Sequence, residues 1–115
     1  MQGASFGGSN GRPELDTQTV ARYLAVPYVA VFSSTVDDNG VWVRSAAYPE
    51  LPGCHVEAAT VIEAMDDLED LRVALIVDML SRGEEPPVPR PPLMGGSSGL
   101  AAETLAHQVL KARAD

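Results

Sequence analysis

The chain has 115 residues, 45% of them hydrophobic but only 5% aromatic, and a formal net charge of −8 at pH 7. This describes one small aliphatic globule rather than a disordered chain, and its acidity opposes phosphate-driven nucleic-acid binding while suiting a basic protein partner. The single cysteine, Cys54, excludes an intrachain disulfide, and no apolar run reaches the ~20 residues of a membrane span. With no apolar signal core at the N-terminus, the expectation is a soluble, cytoplasmic protein that makes no membrane contact.

Residues 1–12 are glycine-rich and are expected to be unstructured, while 13–24 can form a short helix with Val20, Tyr23 and Leu24 as its apolar patch. Residues 28–36 are rich in β-formers, and Pro27 stands at their start, where a missing N–H is tolerated. Asn39-Gly40 predicts a tight type I′ hairpin turn. Residues 41–47 then alternate, with Val41, Val43 and Ser45 on one side and Trp42, Arg44 and Ala46 on the other. Pro49 and Pro52 remove two backbone donors, so 48–53 is a turn, with Gly53 in a conformation closed to other residues. A short third strand over 54–58 follows, antiparallel to the second.

Thr60 with Glu63 three residues later reads as a capping box opening a helix that runs to about Arg82, and Gly83 reads as its stop. Ala64, Leu68, Leu71, Leu75 and Met79 make one apolar stripe along it. Asp66, Asp67, Glu69 and Asp70 lie off that stripe and suit the positive end of the helix dipole. From residue 73 the helix is apolar nearly all round. Val73, Ile76, Val77 and Leu80 therefore need a second cover: another subunit, a partner, or the C-terminal segment. Residues 84–92 hold five prolines and should be extended, with Val88 able to pair at a sheet edge. Gly95 to Gly99 reads as a flexible linker, and 100–114 as a final helix with Ala101, Leu105, Val109 and Ala112 on its apolar side.

Little in the chain carries catalytic chemistry. Asp37 and Asp38 are adjacent carboxylates at a hairpin tip, where Asp is an ordinary turn residue. Cys54 and His55 are neighbours in a strand and so point to opposite faces, which opposes a nucleophile–base pair. His107 is remote from both. There is no phosphate loop, serine elbow or H-E-x-x-H motif, so neither a catalytic residue nor a cofactor or metal site is expected. The acidic group on the long helix is either a solvated face or a docking surface for a basic partner. Trp42 is either a core residue or an interface anchor.

The most specific stretch is Tyr48-Pro49-Glu50-Leu51-Pro52-Gly53-Cys54, followed by Thr60-Val61-Ile62-Glu63-Ala64 and, after the helix, by Gly83-Glu84-Glu85-Pro86-Pro87-Val88-Pro89. In this order, over residues 27–92, it resembles the core signature of the HicB antitoxin family. The motif residues are Pro49, Leu51, Pro52, Gly53, Cys54, Thr60, Glu63 and Gly83. The resemblance implies an α+β fold, with a three- to four-stranded antiparallel sheet in β-β-β-α-β order and a long helix on one face (a partial RNase H-like fold), here followed by a C-terminal helix. It implies three segments: 1–25, a HicB-like domain at 26–93, and a linker with helix at 94–115. It implies a non-enzymatic protein that neutralises a small basic HicA-type ribonuclease by binding it, and that assembles as a homodimer or tetramer. Trp42, Arg44, Asp66, Asp67 and Asp70 are then the candidate partner-binding residues, and Val73, Ile76, Val77 and Leu80 the candidate oligomer interface. The chain departs from the family in having Ala58-Ala59 before Thr60, and in offering one helix at most where many members carry a DNA-binding domain. Two alternatives stand beside this reading: an oligomeric DNA-binding repressor resting on Arg90, Lys111 and Arg113, and an RNase H-like metal-dependent nuclease.

Overall fold

A computed structural model describes residues 15–114; residues 1–12, expected to be unstructured, lie outside them. The order is α1 (Thr17–Leu24), β1 (Val31–Val36), β2 (Trp42–Ala47), β3 (His55–Ala58), α2 (Val61–Ser81) and α3 (Gly96–Ala114). The α+β class, the antiparallel sheet, the long helix and the C-terminal helix are as expected. Two compact units divide the chain within α2: residues 28–75 form one, and residues up to Pro27 together with 76 onward form the other.

In the unit 28–75 the sheet order is β1-β2-β3. Phe32, Ala46 and Val56 stand in register on one face, and Ser33, Ser45 and Glu57 on the other. The hairpin closes differently from the type I′ expectation. Within the loop Gly40 alone has positive φ (+77°), and among the described residues no non-glycine residue does, so Asn39 stays in an ordinary conformation. The Gly40 N–H bonds the Asp37 carbonyl, and the Asp37 N–H bonds the Val41 carbonyl. This is a three-residue loop, a turn followed by a left-handed glycine. The Asp37 carboxylate selects it by accepting from the N–H groups of Asn39 (2.8 Å) and Val41 (2.9 Å).

The turn between β2 and β3 buries Leu51 and Cys54 and leaves Pro49, Pro52 and Gly53 exposed. It is closed by N–H bonds from Leu51 to the Tyr48 carbonyl, from Cys54 to the Leu51 carbonyl, and from Tyr48 to the Cys54 carbonyl. Gly53 sits at φ +80°. At the start of α2, Thr60 Oγ1 accepts from the Glu63 N–H and donates to Glu63 Oε1. The helix ends in a Schellman motif: Gly83 (φ +76°) donates to the Leu80 carbonyl and Glu84 to the Met79 carbonyl.

The buried line along α2 is Ala64, Leu68, Arg72, Ile76 and Leu80, at a strict spacing of four. The expected stripe drifted through Leu71, Leu75 and Met79, which are only half-buried. An arginine therefore occupies a core position that a hydrophobic pattern assigns to its leucine neighbour.

In the other unit α1 is capped by Asp16, whose carboxylate accepts from the Thr19 N–H at 2.8 Å, and it packs against α3. Val20, Ala21, Leu24, Val26, Ile76, Val77, Leu80, Ala102 and Ala106 are buried. The proline-rich segment runs beside α1. Tyr23 donates to Glu85 at 2.8 Å, the Leu93 N–H to the Ala25 carbonyl, and Arg90 to the Pro27 carbonyl. It does not join the sheet, which keeps three strands; five missing N–H groups leave too few ladder bonds. Gly96 to Gly99, expected as linker, form the first turn of α3. Gly99 is buried against the Met94 carbonyl, and a Cβ there would collide with it.

Candidate protein-binding surface

The signature turn is fastened to α2 through a polar cluster. Tyr48, the first turn residue, donates its hydroxyl to Glu69 Oε2 at 2.6 Å. Arg72 grips the same carboxylate with two bonds, Nε to Oε2 at 3.0 Å and Nη2 to Oε1 at 2.9 Å. The Arg72 side chain is 10% exposed and that of Glu69 50%. The cation is thus drawn into the fold while its partner carboxylate still meets water. The Tyr28 ring stacks on Tyr48 at 5.9 Å between centroids, tilted by 51°. Glu50 accepts from the Val29 N–H at 3.0 Å, tying the middle of the turn to the entry of β1. The buried Cys54 Sγ lies 4.0 Å from the Leu68 carbonyl.

The ionisations follow from this packing. Burial alone would raise the Glu69 carboxyl; the bonds from Arg72 and Tyr48 and the Arg72 charge outweigh it and hold the group below its usual range. Burial, then the bond to Glu69 and its charge, push the Tyr48 hydroxyl up to about 12. Burial raises Tyr28 and the Cys54 thiol as well, against the pull of the Arg72 charge. These groups stay in their resting protonation states at neutral pH. Their arrangement is that of a joint between the turn and the helix.

The sheet surface carries the other candidates. Arg44 lies 5.4 Å from the Trp42 ring centroid and donates to Ser34 Oγ at 2.7 Å, so two candidate partner-binding residues meet on one face. Trp42 is 55% exposed, which makes it a surface residue rather than a core one. Asp66, Asp67 and Asp70 are all exposed along α2. Val73 is half-buried, whereas Ile76, Val77 and Leu80 are buried within the chain itself. Asp37 is engaged in its own turn, and Asp38 is exposed beside it. Cys54 is buried and His55 exposed. Among the described residues no three His, Cys, Asp or Glu side chains converge as metal ligands. No helix among them is long and apolar enough to cross a membrane.

No protein-family model, curated protein or solved structure matches the chain.

Two features escaped sequence reasoning. The first is the Tyr48–Glu69–Arg72 joint. Its signal was present in the Glu69/Arg72 spacing of three, which places the pair on one helix side. The second is the exposure of β1, where all six residues, Val31 to Val36, face solvent although three are apolar.

Proposed function

We propose that this chain is a HicB-like antitoxin: a non-enzymatic cytoplasmic protein that binds a small basic HicA-type ribonuclease and blocks it by contact. The observation that carries the reading is the Tyr48–Cys54 turn itself. Its sequence resembles the family signature, it stands between β2 and β3 ahead of a Thr60-capped helix, and it is locked to that helix through Glu69 and Arg72. A joint of this kind gives a stiff platform, which suits recognition by shape and charge. The platform is acidic: residues 28–75 hold nine carboxylates against Arg44 and Arg72. One of those arginines is bound to Glu69 and the other lies against Trp42 and Ser34, so the field a partner meets is negative. Such a field attracts a protein whose own surface is built to hold RNA phosphates. We propose that the partner meets Trp42, Arg44, Asp66, Asp67 and Asp70, and that the assembly contains two or four copies of this chain.

The test is to look for a gene for a small basic protein beside this one and to co-express the two. The expected outcome is rescue of growth when both are induced, and co-purification at low salt that fails at high salt. A neighbouring gene product that stays toxic and never co-purifies would end this reading.

A further inference from the structure

The strand β1 is one of the two outer strands of the sheet, and nothing among the described residues pairs with its free side. Which groups it offers follows from the hairpin. The Asp37 N–H bonds the Val41 carbonyl, and the register is continuous from that pair through 35/43, 33/45 and 31/47. In an antiparallel ladder bonded pairs alternate with unbonded ones. Residues 31, 33 and 35 therefore bond to β2, while Phe32, Ser34 and Val36 turn their N–H and C=O groups outward. Natural proteins guard such an edge with lysine, proline, a bulge or a covering segment. This one has the sequence Val-Phe-Ser-Ser-Thr-Val, with no charge and no proline, and its register runs without a bulge. Val31, Phe32 and Val36 are 51%, 44% and 51% exposed, so apolar side chains flank the open backbone on both faces.

We infer that β1 is a docking edge for an extended segment of a basic partner polypeptide, which adds to the sheet as a fourth strand. Backbone pairing with Phe32, Ser34 and Val36 would give the affinity, and the half-exposed Phe32, Val36 and Trp42 on one face would seat the partner's apolar side chains. Charge selects the occupant. The strand is neutral, but Asp37 and Asp38 stand at one end and Glu50 is bonded to the Val29 N–H at the other. The unit carries nine carboxylates against two arginines, so a second copy of this acidic chain is the worse complement and a lysine- or arginine-bearing strand the better one. This deepens the antitoxin reading by naming the surface that its partner would use.

The probe is a synthetic peptide of alternating lysine and valine, with a glutamate–valine twin as control, titrated into the isotope-labelled full chain. The lysine peptide should shift the amide resonances of Phe32, Ser34 and Val36 most. It should bind at least tenfold more tightly than its twin at 50 mM salt, and the gap should narrow at 0.5 M. Ser34→Pro removes an outward N–H without removing a bond to β2, and should abolish binding. Ser34→Ala loses only the Arg44 contact and should bind like the parent. Shifts confined to Asp66–Asp70, equal binding of the two peptides, or retained binding by a folded Ser34→Pro chain would each overturn the inference. A chain that dimerises through β1 without peptide would overturn it in favour of a second copy. If Ser34→Pro does not fold, the shift map and the peptide comparison on the parent chain still decide. No toxin enters this experiment, so a partner that is not neutralised would end the antitoxin reading while leaving the strand-docking result to stand.

Discussion

Replacing Glu69 by alanine removes two acceptors that hold Arg72 and the one that Tyr48 donates to. Charge-assisted hydrogen bonds contribute about 1.5–3 kcal/mol, and breaking a fully buried pair from one side costs about 3–5 kcal/mol. Here the arginine side chain is 10% exposed but the carboxylate 50%, so water reaches the gap and the cost falls below that of a fully buried pair. We expect Glu69→Ala to cost about 2–3 kcal/mol. Arg72→Met is the gentler change. It leaves an unbranched apolar chain in the buried position, and Glu69 keeps water and Tyr48, so the cost is about 1 kcal/mol or less. In the double variant no cation remains to be stranded. Its cost should stay near 1.5–2 kcal/mol, short of the roughly 3–4 kcal/mol that simple addition gives. Urea unfolding followed by far-UV circular dichroism reads all three. With a slope of about 1–2 kcal/mol per molar, the Glu69→Ala midpoint falls by about 1–3 M. Additivity of the two single variants to within about 0.5 kcal/mol would refute a coupled joint. So would Arg72→Met proving the more damaging change.

The same joint sets an acid limit. The folded Glu69 carboxyl binds its proton less tightly than the unfolded one, so its stabilisation is complete above the ordinary carboxylate value and is lost as pH falls through the lower folded value. Glu69→Gln should therefore narrow its stability gap to the parent in denaturant melts below about pH 4, an unchanged gap counting against the assignment. In alkali, the tyrosinate absorbance of the parent should include one group titrating near 12, and Tyr48→Phe should remove that late step. Burial keeps the Cys54 thiol protonated, so alkylation of the native chain at pH 8 should be at least tenfold slower than in urea; equal rates would place Cys54 at the surface. Two glycines should differ. Gly53→Ala meets open space and bears only the left-handed backbone cost of about 1–2 kcal/mol, whereas a side chain at Gly99 collides with the Met94 carbonyl and should melt the first turn of α3 outright, seen as lost helical signal.

Much of this fold was legible because its elements announce themselves locally. Thr60 with Glu63, Gly83, and the Pro49–Gly53 turn each satisfy backbone groups within a few residues, so the sequence next to them is enough. What failed to read was decided by particular contacts that residue-type patterns do not record. Asn39-Gly40 favours a two-residue turn, but the Asp37 side chain accepts two loop N–H groups and favours the longer loop. A hydrophobic count prefers Leu71 to Arg72 on the buried side of α2. The structure prefers Arg72 because Glu69, itself held by Tyr48, supplies its partner there, a fact spread from Tyr48 to Arg72. The glycines at 95–99 look like a hinge by composition. Gly99 is instead required by a close backbone approach, which composition does not record.

The position of that buried arginine bears on how the surface works. A joint of three leucines would hold the turn to the helix equally firmly, but it would fix neither the rotation of Tyr48 nor the register of the turn against α2. Directed bonds to one carboxylate fix both, which is the better-attested use of buried ionic groups. The turn closes β2 onto β3 through the Tyr48 and Cys54 backbone bond, and Glu50 within it bonds the Val29 N–H at the head of β1. The orientation imposed at Glu69 is thus handed through the turn to the strand whose outer edge is open. A loosened joint should therefore weaken strand docking before it unfolds the chain. Glu69→Gln, still folded at neutral pH, should bind the lysine–valine peptide several-fold more weakly than Ser34→Ala does, although Glu69 itself contributes nothing to the β1 edge. Equal affinity for these two variants would separate the joint from the edge and leave the turn a purely local device.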